Sequence, residues 1–487
     1  MNQLYLDIYH RLPRQGRTVA ASLRGFYLRY WRYGPKSEKL IEAALEREQW
    51  SAGQWKTYTE NQLGNLLQRA ATRAPYYRKY WTERRRRGDS ASWQYLENWP
   101  ILEKETLRRN PTGFVADDCN VRLMFHEHTS GTTGKPLNLW WSRHTVQTWY
   151  ALFEARCRRW YGVSGQDRWA ILGGQLITPI GQAQPPFWVW NMALNQLYMS
   201  SYHLAPNLIP HYLDALKKYR VKYILGYTSS LYALAQQVLR LEREDLQMAV
   251  AVTNAEPLFE YQRKAISEAF QCPVRETYGM AEIVASASEC HSGSLHLWPE
   301  VGWVEVFENK KAVENGITGD LICTGLINTD MPLVRYRVGD RGSLATRDAS
   351  CACGGILPRL ASVEGRADDV LYTVDGRRIG RLDPVFKEDL ALHEAQIIQE
   401  RLSRVRLRYV PATGFSPEKT RLMVKRLKER LGAVDIVLEK LDAIPRERNG
   451  KFRSVICQIP DEEKEYLTKL QESVAPLPTP ATCPDSV

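Results

Sequence analysis

The chain has no apolar run approaching the roughly 20 residues that cross a bilayer. Its first residues also lack the basic, apolar, small-residue order of a secretion signal. It is therefore read as a cytoplasmic protein. Nine cysteines, an odd number spread over 487 residues, are not the dense, even set that staples small secreted domains, and they point to a reducing compartment. No internal repeat is found, no segment resembles a nucleic-acid-binding module, and nucleic acid is not an expected partner. The Walker phosphate loop, with four residues between its glycines and Ser/Thr after the lysine, is missing as well. What is present is a globular composition, 44% hydrophobic and 25% charged, in a chain too long for one core, so two or more domains are expected. The formal charge of +11 permits attraction to nucleic acid, anionic lipid or phosphorylated small molecules without choosing among them.

The leader, residues 1–58, is aromatic and basic. Gly25-Phe-Tyr-Leu-Arg-Tyr-Trp-Arg-Tyr33 interleaves rings with arginines, as an interfacial membrane segment does. An amphipathic helix packed on the body of the protein has the same pattern. Packing is the favoured reading, and peripheral contact with the inner face of the membrane is the alternative. Residues 37–72 read as helical, with Leu40, Ala43, Ala44, Leu63, Leu66, Leu67 and Ala70 at helical spacing and Pro75 as the stop. The cluster Arg84 to Arg87 reads as a solvated, mobile face.

From residue 95 to 260 short apolar runs alternate with helical stretches. Trp169-Ala-Ile-Leu172, Tyr223-Ile-Leu225 and Ala249-Val-Ala-Val252 read as buried strands, and Ser229 to Leu241 as a helix with Leu231, Ala235, Val238 and Leu241 on one face. This alternation predicts an α/β fold with ligands at the carboxyl ends of the strands. Trp188, Trp190, Tyr198 and Tyr202 are candidates to wall an apolar pocket.

The stretch Thr129-Ser-Gly-Thr-Thr-Gly-Lys-Pro136 has the chemistry of an anion cradle. Its glycines let backbone N–H groups converge, while Thr129, Ser130, Thr132, Thr133 and Lys135 add donors and charge around Gly131 and Gly134. A flexible surface loop is the competing reading. His126-Glu-His128 before it lacks the helical spacing of a zinc protease motif and reads as support for the loop. Farther on, Tyr278-Gly-Met-Ala-Glu282 offers a ring for a base and a carboxylate for magnesium. Tyr336-Arg-Val-Gly-Asp340 offers a carboxylate on a tight turn, suited to a ribose diol. Either motif alone is weak, since packed tyrosines and turn aspartates look the same.

Their order is specific. Thr129–Pro136, Ala255-Glu-Pro257, Tyr278–Glu282, Tyr336–Asp340, Gly365-Arg-Ala-Asp-Asp369 and Asn449-Gly-Lys-Phe-Arg453 together resemble the adenylate-forming superfamily. The likeness is to its phenylacetate–CoA ligase branch, and within that to CapK-like proteins of capsular polysaccharide biosynthesis. The resemblance covers residues from about 60 to 460. It implies a large ATP- and acid-binding α/β domain at 59–367 and a small mobile α+β lid at 368–460. Residues 129–135 would grip the outer phosphates of ATP. Ala255, Glu256 and Pro257 would line the adenine site, with Tyr278 against the ring beside Gly279. Asp340 would bind the ribose, Arg366 the phosphate or ribose, and Glu282 Mg2+. Asp368 would be the hinge, and Lys451, with Glu282, would be catalytic. The implied reaction joins a carboxylic acid to ATP as acyl-AMP and then passes the acyl group to CoA. A sugar amine, a hydroxyl or a carrier thiol stands as the alternative acceptor. Asn254, where a glycine is common in the family, departs from the pattern, and so does the leader when set against plain phenylacetate–CoA ligases. A silent basic scaffold at a membrane or polysaccharide assembly is the reading from another class.

Two features stand partly outside the resemblance. Cys290, His296, Cys351 and Cys353 form two short ligand pairs suited to a closed tetrahedral Zn2+ site. The family branch has structural zinc in some members, His291 is a competing ligand, and free cysteines are the alternative. In the lid, Val370–Val374 with Asp375-Gly376 reads as a hairpin, and Ser416-Pro417-Glu418 as a helix start. Met423, Leu427 and Leu431 make the buried face, Gly432 the stop and Asp435–Leu438 a strand. Residues 461–487, with Pro476-Leu-Pro-Thr-Pro480, are expected to be disordered.

Overall fold

Five short apolar runs make the parallel half of a 13-stranded sheet. Trp169–Gly173, Gln196–Ser200, Tyr223–Tyr227, Val250–Asn254 and Val274–Gly279 pair in parallel, with Trp188–Asn191 as an antiparallel edge. Counted along the chain, the parallel strands lie in the order 2-1-3-4-5, so the switch point falls between Trp169–Gly173 and Tyr223–Tyr227. Strand alternation sends Ala170, Leu172, Leu197, Met199, Ile224 and Ala251 into one core, with helices Ile209–Lys218, Thr228–Arg240 and Glu260–Phe270. Trp169, Tyr223, Leu225, Val250 and Val252 fill the opposite face beside Phe153 of helix Arg143–Cys157. Burial on both faces explains why these strands read as unbroken apolar runs.

The computed structural model describes residues 3–128, 137–179, 181–204, 207–346, 350–366, 371–374, 378–379, 382, 385, 390–446, 452–464 and 466–467. Contacts divide the chain into two units. One is Met1–Gly365 with Arg446–Phe452, and the other is Arg366–Pro445 with Arg453–Val487. The leader falls within the first.

Beyond Val274–Gly279 the sheet turns antiparallel, through Ser286–Glu289, Leu295–Leu297, Arg359–Arg366, Tyr336–Leu344, Gly319–Gly325 and Gly302–Glu308 to Lys311–Ala312. Helices Ala52–Arg73 and Pro75–Arg86 cover this half, burying Tyr77 and Trp81 with Trp99. The helix expected over 37–72 is two, Ser37–Glu46 and Ala52–Arg73, because Ser51 and Gln54 form a capping box that starts a new one. Pro75 opens a helix rather than only closing one, since the first helical position needs no N–H donor. Arg84 departs from the solvated face expected of its cluster. Its guanidinium is held by Asp89 at 2.7 Å, Tyr80 Oη at 2.7 Å and the Asn98 carbonyl at 2.9 Å.

In the leader, helices Gln3–Arg11 and Arg14–Arg32 form, and the second packs on the edge strand Trp188–Asn191. Gly25 permits the approach, because a Cβ there would sit 2.0 Å from Asn191 Oδ1. Ser22 Oγ donates to the Trp190 carbonyl at 3.4 Å and accepts from Met192 N–H at 3.2 Å. The helix thereby occupies a sheet edge that would otherwise invite another strand.

The second unit holds a four-stranded sheet in the order Asp435–Lys440, Arg404–Pro411, Leu392–Arg401, Val455–Cys457. Helix Pro417–Leu431 buries Met423, Leu427 and Leu431, and Gly432 ends it at φ 81°. Leu371–Tyr372 pairs with Arg378–Ile379, while the turn between them lies outside the described residues. The expected disorder from 461 onward starts too early. Residues 461–464 are helical, and Leu467 is buried against Tyr372 and Ile459. The proline-rich end lies outside the described residues.

A buried ionic network ties the first unit together. Arg156 meets both oxygens of Glu300 at 2.7 and 2.9 Å, Arg47 reaches Glu300 at 2.9 Å, and Trp160 donates to Glu48 at 2.7 Å. Burial alone would raise the Glu300 carboxyl, but the two guanidiniums outweigh it and hold it below its ordinary value. A depressed carboxyl stabilises the fold above its unfolded value, and that contribution is lost as pH falls through the folded one. Arg156→Met should cost about 3–5 kcal/mol in urea unfolding at neutral pH, because it removes the bidentate partner of a buried carboxylate and leaves it Arg47 alone. The cost should shrink in acid, and an equal cost at both pH values would show that charge is not involved.

Candidate functional site

Thr129 to Lys135, Asp368 and Lys451 lie outside the described residues, as does the side chain of Arg366, whose backbone ends strand Arg359–Arg366. The two strands bracketing residues 129–136, Phe125–His128 and Asn138–Trp141, pair antiparallel with His128 opposite Asn138. His126 stacks on Trp140 at 5.3 Å and bonds Asn138 Oδ1 at 3.0 Å. The histidines thus belong to the stem that carries this segment.

Ala255, Glu256 and Pro257 follow strand Val250–Asn254 at its carboxyl end. Ala255 sits at φ 61°, the left-handed region where a side chain is strained. Glu256 Oε2 accepts from Ser229 N–H at 2.8 Å, in the first turn of helix Thr228–Arg240, and Oε1 accepts from Phe452 N–H at 2.7 Å. Thr228 Oγ1 donates to the Glu256 carbonyl at 3.1 Å. Burial raises the Glu256 carboxyl, and these backbone donors partly offset it. Ser229, which no sequence motif marks, and Phe452, which lies within the motif Asn449–Arg453 but at a position given no role there, thus fix the carboxylate from two sides.

Strand Val274–Gly279 carries the next group. Thr277 Oγ1 donates to the Thr253 carbonyl at 2.8 Å, tying two strand ends. One residue on, Tyr278 Oη donates to Asp340 Oδ2 at 2.9 Å, and Gly279 ends the strand exposed. Asp340 is not on the tight turn expected for it. It lies within strand Tyr336–Leu344, where the register against Gly319–Gly325 jumps between Asp320 and Ile322 and Gly339 takes φ 89°. Such a bulge re-aims a side chain from inside a strand. Burial, then the nearby Asp340 charge, pushes the Tyr278 hydroxyl well above its ordinary value.

Glu282 is buried beside this pair. Tyr336 Oη donates to its Oε1 at 2.8 Å, and Lys104 Nζ lies 3.5 Å from the same oxygen. Among the described residues Oε2 has no partner, so the carboxylate fits a hard cation on that side. Ile283 follows at φ 47°, a strained conformation for a β-branched residue. Lys104 has no motif around it and could be found only from the structure.

The switch point lies at the carboxyl ends of Trp169–Gly173 and Tyr223–Tyr227. Tyr202 Oη donates to the Gly174 carbonyl at 2.8 Å, and a Cβ on Gly173 would come within 2.5 Å of Tyr198 Oη. Of the four aromatics named as candidates to wall an apolar pocket, the two tryptophans pack against the helix-covered core. Trp188 and Trp190 pair opposite Met199 and Leu197, on the helix-covered face, where Trp190 stacks on Tyr219 at 5.0 Å. Tyr198, opposite Val189, is on the other face. The leader holds the loop that follows Trp169–Gly173, through Tyr9 Oη to the Ile177 carbonyl at 2.9 Å and Arg17 Nη2 to Gln182 Oε1 at 2.9 Å.

Cys290, His296, Cys351 and Cys353 converge, with their donor atoms all within 4.8 Å of one another. Thiolates 2.3 Å from a tetrahedral ion stand about 3.8 Å apart, and Cys290 and Cys351 sulfurs are separated by 3.7 Å. His296 Nδ1 faces the Leu357 carbonyl at 3.1 Å, which can only accept, so Nδ1 carries the proton and Nε2 turns its lone pair to Cys353 Sγ at 3.4 Å. Burial opposes charge on Cys351. Hydrogen bonds involving Ser294, Cys353 and His296 outweigh it and bring the thiol down to about 5. The donor set fits zinc with four protein ligands and no open position. His291, the competing ligand, is exposed and outside the cluster.

A CapK C-terminal domain model matches residues 371–458. Protein CapK of Staphylococcus aureus is 30% identical over 246 residues, 50% of this chain, which spans only about half, 53%, of that protein's length. Phenylacetate-coenzyme A ligase of Pseudomonas putida is 24% identical over 344 residues, 69% of this chain and 72% of the ligase. A solved 2-hydroxyisobutyryl-CoA ligase, in the postadenylation state with R3-HIB-AMP, matches with TM-score 0.64 at 20% identity over 88% of this chain and 94% of its own. The fold is that of the adenylate-forming CoA ligases. By sequence the chain is a homologue of CapK and of the phenylacetate–CoA ligases, with a CapK C-terminal domain.

Glu276, on the strand that carries Tyr278, supplies a pH test of this geometry. Burial and the neighbouring Glu289 raise its carboxyl to about 7, against a smaller opposing effect of Arg263. The folded chain then keeps a proton that the unfolded chain releases near its ordinary value of 4.5. Stability should therefore fall as pH rises from that value toward about 7. Glu276→Gln should flatten this part of the urea-midpoint profile; an unchanged slope would assign it to another group.

Proposed function

We propose that the chain is an ATP-dependent carboxylate-activating ligase that forms an acyl-AMP and then an acyl-CoA thioester. The observation carrying this reading is the hydrogen bond between Tyr278 and Asp340, 62 residues apart in sequence. It brings the base-side and ribose-side motifs into one place, beside the Glu282 carboxylate. In the first step a carboxylate oxygen attacks the α-phosphorus of ATP, the bond to the β-phosphate oxygen breaks, and pyrophosphate leaves. In the second the CoA sulfur attacks the acyl carbonyl, gives up its proton and expels AMP.

The first step brings two anions together, so its barrier is positioning and charge. Residues 129–135 would hold the outer phosphates and Tyr278 would lie on the adenine near Gly279 and Ala255–Pro257. Asp340 would hold the ribose, with Arg366 near the phosphate. Glu282 would hold Mg2+, which supplies positive charge at the phosphates. Lys451 would offset charge at the entering carboxylate, and Asp368 would be the pivot that withdraws it before thiol attack. The CapK-like resemblance extends the proposal to polysaccharide biosynthesis, with a sugar amine or hydroxyl as the competing acceptor. The Cys290, His296, Cys351 and Cys353 site would hold structural zinc.

ATP–pyrophosphate exchange over a panel of aryl and fatty acids, with hydroxylamine trapping of the adenylate, tests the activity. ATP binding with no exchange for any acid would favour the silent scaffold. Lys451→Ala should slow exchange by about 10²-fold or more while sparing thioester formation from preformed acyl-AMP. Equal loss of both half-reactions would remove Lys451 from that role. Metal analysis should find stoichiometric zinc in the wild type and depletion in Cys351→Ser, with a lowered melting temperature; unchanged metal content would refute these ligands.

A further inference from the structure

We propose that helix Arg14–Arg32 docks the protein on an anionic lipid surface, with Val19, Leu23, Phe26, Tyr27 and Tyr30 entering the interface. These side chains are 58%, 64%, 49%, 50% and 58% exposed. At helical spacing the five fall within about 100° of arc, a continuous stripe rather than scattered surface residues. The back of the helix is already committed to the sheet edge through Gly25 and Ser22, so the stripe is not an unsatisfied core face of the same chain. Met192, 60% exposed on the turn that Ser22 holds, adds a further apolar side chain beside it.

Charge selects the occupant. Arg11, Arg14, Arg24, Arg29 and Lys36 are exposed around the stripe, and Asp7 is the one acidic residue before Glu38. A leader segment whose exposed charges before Glu38 are cations with Asp7 alone against them matches a uniformly anionic plane better than the mixed charges of a protein partner. Tyr27 and Tyr30 suit the boundary, where a ring can enter apolar surroundings while its hydroxyl stays wet. Arg143 stacks on the Tyr30 ring at 3.9 Å and holds it in place. The helix lies in the interface plane, since no described helix is long and apolar enough to cross a membrane.

Sedimentation of the full chain with large phosphatidylcholine vesicles, with and without phosphatidylglycerol, is the test. Binding to the mixed vesicles should be roughly tenfold or more above binding to pure phosphatidylcholine and should fall with salt. Leu23→Ser with Phe26→Ser should lower it by a similar factor, and Arg24→Gln with Lys36→Gln should remove much of the lipid preference. Both pairs should leave the circular dichroism spectrum and melting temperature unchanged. Binding equal in wild type and Leu23→Ser/Phe26→Ser would overturn the proposal. So would absence of vesicle binding together with a dimer, seen in sedimentation velocity, that the same pair dissolves, because the stripe would then be covered by a second copy of the chain.

Discussion

The first unit depends on one strand that belongs to two kinds of sheet. Val274–Gly279 pairs in parallel with Val250–Asn254 through its first residues and antiparallel with Ser286–Glu289 through Thr277, Tyr278 and Gly279. Parallel pairing needs helical crossovers, which leave ligand-binding loops at the carboxyl ends. Antiparallel pairing needs only turns and can bring strands from far along the chain alongside. The handover lets a residue at a parallel-strand end meet Asp340 from the antiparallel half. A one-residue slip would turn Tyr278 to the other face, and the Thr277–Thr253 and Ser286–Tyr278 hydrogen bonds oppose it.

Strain collects around the same place. Ala255 and Ile283 have positive φ, as does Arg335 just before Tyr336, each next to a motif side chain. The surroundings that hold them are strong. Arg335 bonds Glu305 at 3.1 and 3.2 Å and the Trp99 carbonyl at 2.9 Å, and Glu256 is clamped by backbone N–H groups. Rigid anchoring of this kind is what keeps a carboxylate or phenol aimed when its own backbone would prefer another conformation.

The α/β class was legible because the parallel strands are buried on both faces, which leaves runs such as Tyr223-Ile-Leu225 with no polar interruption. The zinc-type donor set was legible because thiolate and imidazole are the usual ligands of closed tetrahedral sites, and two short pairs limit the choices; rejecting His291 required the turns that aim Cys290 and His296. Position within an element was less accessible. Asp340 read as a turn residue because Gly339 signals one, yet the positive φ serves a bulge. Trp188 and Trp190 read as pocket walls because composition does not say which face of a strand is covered, and only the register against Leu197 and Met199 does. Lys104 and Ser229 were invisible because their roles exist only through partners brought by the fold.

The leader shows how one helix can satisfy two demands on the same sequence. Aromatics and arginines at residues 25–33 suit packing and interfacial binding equally well, and composition cannot divide them. The fold divides them by side. Gly25 has no side chain where the helix meets Asn191, and Trp31 turns inward to Phe125 at 5.5 Å. Leu23, Phe26, Tyr27 and Tyr30 remain outside. Packing therefore does not exclude a surface role, because it uses one face and fixes the orientation of the other. The same leader holds the loop after Trp169–Gly173 through Tyr9 and Arg17, so its inner face is tied to the sheet at its loop as well as at its edge.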